Sequence, residues 1–478
     1  MLKDQLFGDF QGFSKTEWKQ KIEADLKGRT YESLCTTNSS GISIEPVYTP
    51  EDIDIKDDSP ESGSYRRGSK TNSNDWAIDE VFEASGNTIT DNSKIQTLLN
   101  SGLTALTISG KIKTGILKGI QPQYIKLGFE GYSSLSETIS EISTAFENKS
   151  DFPLYLNYDP IGNACLSGVW NKNENLRTGF DAAKICNSNS GAKVFTVNGQ
   201  NYHNSGGNAI SELAFTLAHA YEYLVYLLEN GFSIGEASAQ IKIDLASGGD
   251  YFLEIAKIRA FRMIWAKLID LYNPVHSYSK TAIIHSHTSQ FLSTVYDSKV
   301  NMLRSTTQAM SAVLGGCDIL RVLPYNTAWK NGDYFSKRIA RNVQLLLKEE
   351  TYFDEVIDPA GGSYYIENLT DKLAQKAWKK FRKIEKKGGF IGLMNSGNLN
   401  RELKEDAQVQ LDLFNSGATK ILGVNIFPNM EENMLDELND ITIETSQIEN
   451  KFAPIELIRL VGKEEEIRLQ KELEEANS

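Results

Sequence analysis

Histidine is scarce in this chain: five occur in 478 residues, and none follows His287. The C-terminal stretch therefore supplies no imidazole for metal ligation or proton transfer. Cysteine is nearly as rare. Cys35, Cys165, Cys186 and Cys317 are scattered and form no Cys-x-x-Cys pair, so neither a zinc knuckle nor a disulfide framework is expected. No apolar run approaches the roughly 18 residues of a membrane span, and the opening Met1-Leu-Lys-Asp-Gln-Leu-Phe7 lacks the apolar stretch of a signal peptide. A reducing, cytoplasmic setting is the expectation. Positive charge is in deficit as well, with 50 Lys and Arg against 63 Asp and Glu and a net charge of -13. That balance argues against general nucleic-acid or anionic-lipid binding, both of which require a basic face. No Gly-x-Gly-x-x-Gly follows a strand-like run, which argues against a dinucleotide site.

What remains is ordinary for a globular protein: 40% hydrophobic, 24% charged and 10% aromatic residues. Ser14-Lys-Thr-Glu17 is a capping box leading into a helix that Gly28 stops. Residues 50–75 are polar and rich in Ser, Asp and Gly, a loop or linker by composition. From about Leu98 short apolar runs alternate with amphipathic stretches. Expected strands are Thr104–Ser109, Tyr124–Phe129, Pro153–Tyr158, Lys193–Asn198, Gln240–Leu245, Thr281–His287 and Asp318–Leu323. Expected helices include Glu212–Glu229, Tyr334–Glu350, and Lys372–Lys387 with Thr370 as its N-cap. Such alternation over some 300 residues implies an α/β fold with a parallel sheet, and its length suits a (β/α)8 TIM-type barrel. A doubly wound open sheet is the alternative. The expected layout is an N-terminal arm and linker over 1–85, serving subunit contact, a barrel over 86–390, and a helical C-terminal extension over 391–478. The extension ends in an acidic tail, Glu464–Ser478, read as a solvated helix end.

Phe335-Ser-Lys-Arg-Ile-Ala-Arg-Asn-Val-Gln344, followed by Asp358-Pro-Ala-Gly-Gly-Ser-Tyr-Tyr-Ile-Glu367, resembles the barrel of methylmalonyl-CoA mutases. His285-Ser-His-Thr-Ser289 and Arg304-Ser-Thr-Thr-Gln-Ala-Met310 are similar to that family's His-x-Gln-Thr-Ser-Gly and Arg-Thr-x-x-Glu-Ala-Met segments. Glu212-Leu-Ala-Phe-Thr-Leu217, Glu254-Ile-Ala-Lys-Ile-Arg259 and the opening Asp25-Leu-Lys-Gly28 extend the likeness over about residues 8–430.

The resemblance implies a catalytic pattern that this chain departs from. Where the family carries Ser-Gly-Tyr-His at a strand end, this sequence has Asn198-Gly199-Gln200-Asn201. Neither Gln nor Asn exchanges protons near neutral pH, and loss of a positioned acid costs about 10²–10⁴ in rate. Asp79 stands where an arginine is expected and Val81 where a substrate-contacting tyrosine is expected, so an anionic acyl-CoA would meet a carboxylate. The family's Thr-x-Gln-Asn-Asp segment is not recognisable in Asn163–Trp170. Val194, Thr196 and Asn198 replace small serines along a strand, which suggests a filled barrel axis. The family's flavodoxin-like cobalamin domain, with its Asp-x-His-x-x-Gly motif, is expected to be absent.

The resemblance thus points to a non-catalytic small (beta) subunit of a heterodimeric, cobalamin-dependent isomerase of propionate metabolism. Its partner would be a large subunit that holds adenosylcobalamin and interconverts methylmalonyl-CoA and succinyl-CoA. No cofactor or metal is expected on this chain, and the degenerate pocket positions are Asp79, Val81, Gln200, Asn201, His285, His287 and Ser289. Two alternatives stand beside it. One is an autonomous acyl-CoA-binding barrel using His203, His285 or His287 for acid–base chemistry; the other is a split mutase supplying a substrate barrel to a separate cobalamin domain. His285 and His287, two apart on a strand, share one face, and a metal site there would need ligands that the chain does not offer later on.

Overall fold

The computed structural model describes residues 12–53, 65–146, 151–187, 189, 191–438 and 452–476. Eight parallel strands close on themselves in sequential order. They are β1 (Ala77–Glu83), β2 (Ala105–Ser109), β3 (Lys126–Glu130), β4 (Leu154–Tyr158), β5 (Ala192–Asn198), β6 (Ile241–Ser247), β7 (Ile284–Thr288) and β8 (Ile319–Arg321). The fold is a (β/α)8 barrel, and the open-sheet alternative is set aside because β8 pairs with both β7 and β1. Seven strands fall where apolar runs foretell them. The eighth, β1, lies inside the stretch assigned to an arm, so the barrel opens at Ala77 and the boundary near 85 falls after its first strand. Its sequence, Ala-Ile-Asp-Glu-Val-Phe-Glu, carries three acids, and a strand so charged is legible only once its partners are known.

Alternation sets the layers. Leu106, Ile108, Leu127, Phe129, Phe195, Val197, Ile243 and Leu245 are fully buried in the main core cluster. A separate apolar plug made of Ala77, Ala105, Tyr155 and Ile319, with Ile283 against it, gathers the first inward positions of the strands. Covering helices include α2 (Ala209–Glu229), α3 (Tyr251–Asp270), α4 (Val300–Leu314) and α5 (Tyr334–Glu349), preceded by the arm helix α1 (Lys15–Asp25). Helix α1 starts at the Ser14/Glu17 capping box, and α5 at a second box built from Asp333 and Ser336.

Two helix ends differ from expectation. The helix expected from Lys372 is the second half of α6 (Tyr364–Glu385), which begins after Ser363. Thr370 is not a cap; it is buried mid-helix, donating to the Ile366 carbonyl (2.7 Å) and accepting from Arg259 (3.1 Å). The acidic tail is also not merely solvated. In α7 (Gly462–Ala476), Glu465 is buried, accepts from the Val295 amide at 2.6 Å and pairs with Arg459. Glu472 accepts from the Met434 amide at 3.0 Å.

The arm packs on its own barrel. Tyr31 is buried edge-on to Trp18, and Tyr48 lies 5.2 Å from the Tyr365 ring on α6. Trp18, Tyr31 and Tyr48, the aromatics an arm could offer to a partner, are thus all engaged within the chain. The Asp-Pro-Ala-Gly-Gly-Ser-Tyr turn is anchored the same way: Arg259 on α3 bridges Asp358 (3.0 Å) and Glu367 (2.6 Å), and Arg66 binds Glu367 (2.6 Å) and Asp371 (2.8 Å). That turn is a fastening between elements, placed away from the barrel axis.

Candidate functional site

Above the apolar plug the axis is closed by charge. Asp79 on β1 accepts from Arg321 on β8 through Nε (2.7 Å) and lies 2.6 Å from its second terminal nitrogen, while Thr107 on β2 donates to it at 3.1 Å. On the far wall Lys242 lies 2.7 Å from Asp244 and donates to His285 Nδ1 at 3.2 Å. An ammonium has only protons to offer, so His285 Nδ1 is the acceptor and its Nε2 carries the proton, 3.4 Å from Asp79. His287 Nε2 approaches Asp244 at 3.1 Å, and the two imidazoles lie tilted by 35° with centroids 4.2 Å apart. The strand register makes this possible, since Asp79 pairs with Arg321, Arg321 with His287, and Asp244 with His285.

Asp79, Lys242, Asp244, His285 and His287 are buried, Arg321 is mostly so with its side chain 12% exposed, and two acids balance two bases. Burial would raise Asp79, yet Arg321 and His285 outweigh it and hold the carboxyl well below the usual range. Asp244 is likewise depressed: Lys242 and both histidines overcome its desolvation. Burial, with His287 and Lys242 beside it, pushes His285 down to about 3 despite Asp244 and Asp79. Burial lowers His287 as well. Both rings are therefore neutral near pH 7. The residual axial cavity beside Tyr155, Asn157 and Lys242 is about 10 Å³, roughly the space of one water.

Asp79 therefore does not present its charge to a ligand, as the reversed sign suggests; it is spent on Arg321. Thr196 faces the same interior, donating to Asn157 at 3.1 Å, and Asn198 donates to Asp159 at 2.8 Å. The axis is indeed filled, but chiefly by the Lys242, Asp244, His285 and Arg321 side chains rather than by bulk on β5 alone. Lys242, Asp244 and Arg321 went unnoticed in the sequence. The signal was there: Lys242-Ile-Asp244 and His285-Ser-His287 are polar pairs at the period of two that puts them on one strand face.

At the C-terminal mouth, Gly199 ends β5 and opens the one-turn helix Gln200–Asn204. A Cβ at Gly199 would sit 2.2 Å from Thr216 Oγ1 and 2.8 Å from the Asp244 carbonyl, so the turn requires glycine. Gln200 and Asn201 are half-buried here, and among the described residues neither side chain has a hydrogen-bond partner. His203 Nε2 meets Ser289 Oγ at 2.7 Å, and its Nδ1 lies 3.7 Å from Glu212, beyond hydrogen-bond reach. Burial and Lys257 push His203 well below the ordinary imidazole range, so it too is neutral. Lys257 serves both Glu212 and Glu254 at 2.6 Å, and Glu212 accepts from the Ala246 amide (2.9 Å). Val81, two residues on from Asp79, is half-buried and lines a 200 Å³ cleft with Asp79, Arg321, Leu323, Lys337 and Gln344.

Asp244, His285 and His287 place ligand atoms within 4.8 Å of one another, the arrangement of a metal site. Lys242 already occupies that position with its ammonium, and a divalent cation would add charge to a set that is balanced. Nor are the buried histidines free to hold a cobalamin. The two axial imidazoles are tied to Asp79, Lys242 and Asp244, and His219 is locked between Tyr202 (2.8 Å) and Asp159 (3.0 Å). Cys317, buried beside β8, has its thiol pushed up to about 12 by desolvation. It behaves as a packing residue.

A TIM-type barrel whose axis is filled by paired charge, with the amides of Gln200 and Asn201 beside a His203–Ser289 contact at its mouth, is the class of protein that the fold and site define. The methylmalonyl-CoA mutase family pattern matches residues 169–473, and the chain belongs to that family. It is 34% identical over 453 residues to the "Methylmalonyl-CoA mutase small subunit" of Porphyromonas gingivalis, covering 90% of this chain and 72% of that protein. The similarly named protein of Streptomyces virginiae is 30% identical over 89% of this chain and 72% of its own length. The "Methylmalonyl-CoA mutase" of Cereibacter sphaeroides is 26% identical over 90% of this chain and 67% of that protein.

Proposed function

We propose that this chain is the non-catalytic small subunit of a heterodimeric methylmalonyl-CoA mutase, acting in the cytoplasm to stabilise a large subunit that binds adenosylcobalamin and carries out the isomerisation. The observation that carries this reading is the axial network of Asp79, Arg321, Lys242, Asp244 and His285, which occupies the path a thioester arm would thread. The amides of Gln200 and Asn201 add to it, since they stand where the family's tyrosine and histidine act. Small-subunit names among the relatives supply the partner.

The autonomous-enzyme reading draws on the contact between His203 and Ser289. It fares worse, because a serine–histidine pair needs an orienting acid and the nearest, Glu212, is 3.7 Å away and committed to Lys257. A split mutase would require an open axis, which the network denies.

The test is mutase turnover by the companion large subunit with and without this chain, together with a complex carrying Asn201→Ala. The expected result is that the chain raises the thermal stability and recovered activity of the large subunit, while Asn201→Ala leaves turnover unchanged. Loss of turnover on altering Asn201 would count against a silent barrel.

A further inference from the structure

Helix α6 and its C-cap carry cations from Lys372 to Lys386, and they divide into two groups. Those nearer its start are engaged: Lys372 and Lys376 reach the carbonyls of Ser43 and Gly41, and Lys380 pairs with Glu402 at 2.9 Å. Lys379, Arg382, Lys383 and Lys386 are exposed, and among the described residues none has an ion-pair partner. Their spacing of i, i+3, i+4 and i+7 puts them on one helix face. That face borders a groove of about 1030 Å³ between α6 and α3. Its floor is apolar, formed by Met263, Ile264 and Trp378, with Lys267 of α3 lying 4.9 Å over the Trp378 ring.

Same-sign neighbours one turn apart repel, and the negative end of the helix dipole offsets only part of that. The cost falls on a chain of net charge -13, in which most other buried and half-buried cations are paired. A broad polyanion such as duplex nucleic acid would meet the acidic remainder of the surface beyond the groove. The concavity between two helices over an apolar floor is instead the shape that receives a third helix. At its other end the groove is bordered by Asp52 and Asp371, acids already paired with Lys15 and Arg66. That fixes the occupant's polarity: its acidic turns lie at the Lys379–Lys386 end and its apolar turns over Met263 and Ile264.

We propose that this groove docks an acidic amphipathic helix of the companion subunit; the inference rests on the two-subunit reading above.

The test uses the full chain and the co-purified companion, with association followed at 50 mM and 500 mM salt. A Lys379→Glu/Lys383→Glu/Lys386→Glu triple variant is compared with Lys94→Glu/Lys111→Glu/Lys118→Glu, an equal charge change on the opposite part of the barrel wall. Circular dichroism confirms that both fold. The groove triple is expected to slow association about tenfold or more at low salt, the gap narrowing at high salt, while the control changes it by about twofold or less. Equal slowing by both triples overturns the proposal, as does association untouched by the groove triple; in either case the companion still binds and the two-subunit reading stands. Failure of the unaltered chain to associate overturns both. Saturable binding of inorganic tripolyphosphate that the groove triple abolishes, with subunit association unchanged, assigns the groove to a small anion and overturns the helix.

Discussion

Asp79 and Arg321 illustrate how a single residue is read differently once its partner is known. Alone, Asp79 is a lost arginine; beside Arg321 at 2.6 Å it is half of a buried ion pair. Removing one member strands the other in a medium that solvates it poorly. Arg321→Met should therefore destabilise the chain by about 3–5 kcal/mol, whereas the double variant Asp79→Leu/Arg321→Met should recover much of that loss. Urea unfolding of the unaltered chain and the two variants checks the pattern, and a double variant no better than the single would show that the pair does not act as a unit.

Glu385 gives a residue-scale pH prediction. Burial, with Glu222 nearby, raises its carboxyl to about 7. A raised carboxyl binds its proton more tightly in the folded state. Its contribution is thus complete below about 4.5 and is lost as pH climbs through about 7. Glu385→Gln should raise Tm at pH 8 and leave it nearly unchanged at pH 4.5; the side chain is half-exposed, so the gain is on the order of 1 kcal/mol. His285 works in the other direction. Depressed to about 3 from an ordinary 6.5, it favours folding above pH 6.5 and withdraws that support as pH falls. Thermal unfolding from pH 7 to 4 should show declining stability, and His285→Gln should flatten the decline.

At the scale of elements, legibility followed how local each cause was. Strands β2 to β8 announce themselves by apolar runs that need no knowledge of the rest of the chain. Strand β1 does not, because its inward acid is neutralised by an arginine more than two hundred residues later. The start of α6 was hidden for a similar reason: Thr370 has a cap's chemistry, but Arg259 draws it into the helix interior. In the site, Asn201 and Val81 stand out in the sequence only as departures from the pattern it resembles, while the Lys242–Asp244–His285 network does not stand out at all, since one lysine in a strand looks like a solvated edge. The β5 turn offers a check at this scale. With Thr216 and the Asp244 carbonyl so close, Gly199→Ala should cost about 1–3 kcal/mol in urea unfolding, and an unperturbed variant would mean that the turn has room the packing denies it.

For the whole molecule, the account is of a mutase-family barrel that keeps its scaffold with its axis shut. Among the described residues no helix is long and apolar enough to cross a membrane. The ion pairs of Arg66 and Arg259 fasten parts far apart in sequence to α6. Equilibrium binding of methylmalonyl-CoA to this chain alone tests the claim most directly, followed by calorimetry with adenosylcobalamin present and absent. A sealed axis predicts no saturable heat at millimolar thioester in either condition. A stoichiometric complex, abolished by a bulky substitution at Thr107 or Thr196 inside the barrel, would contradict it.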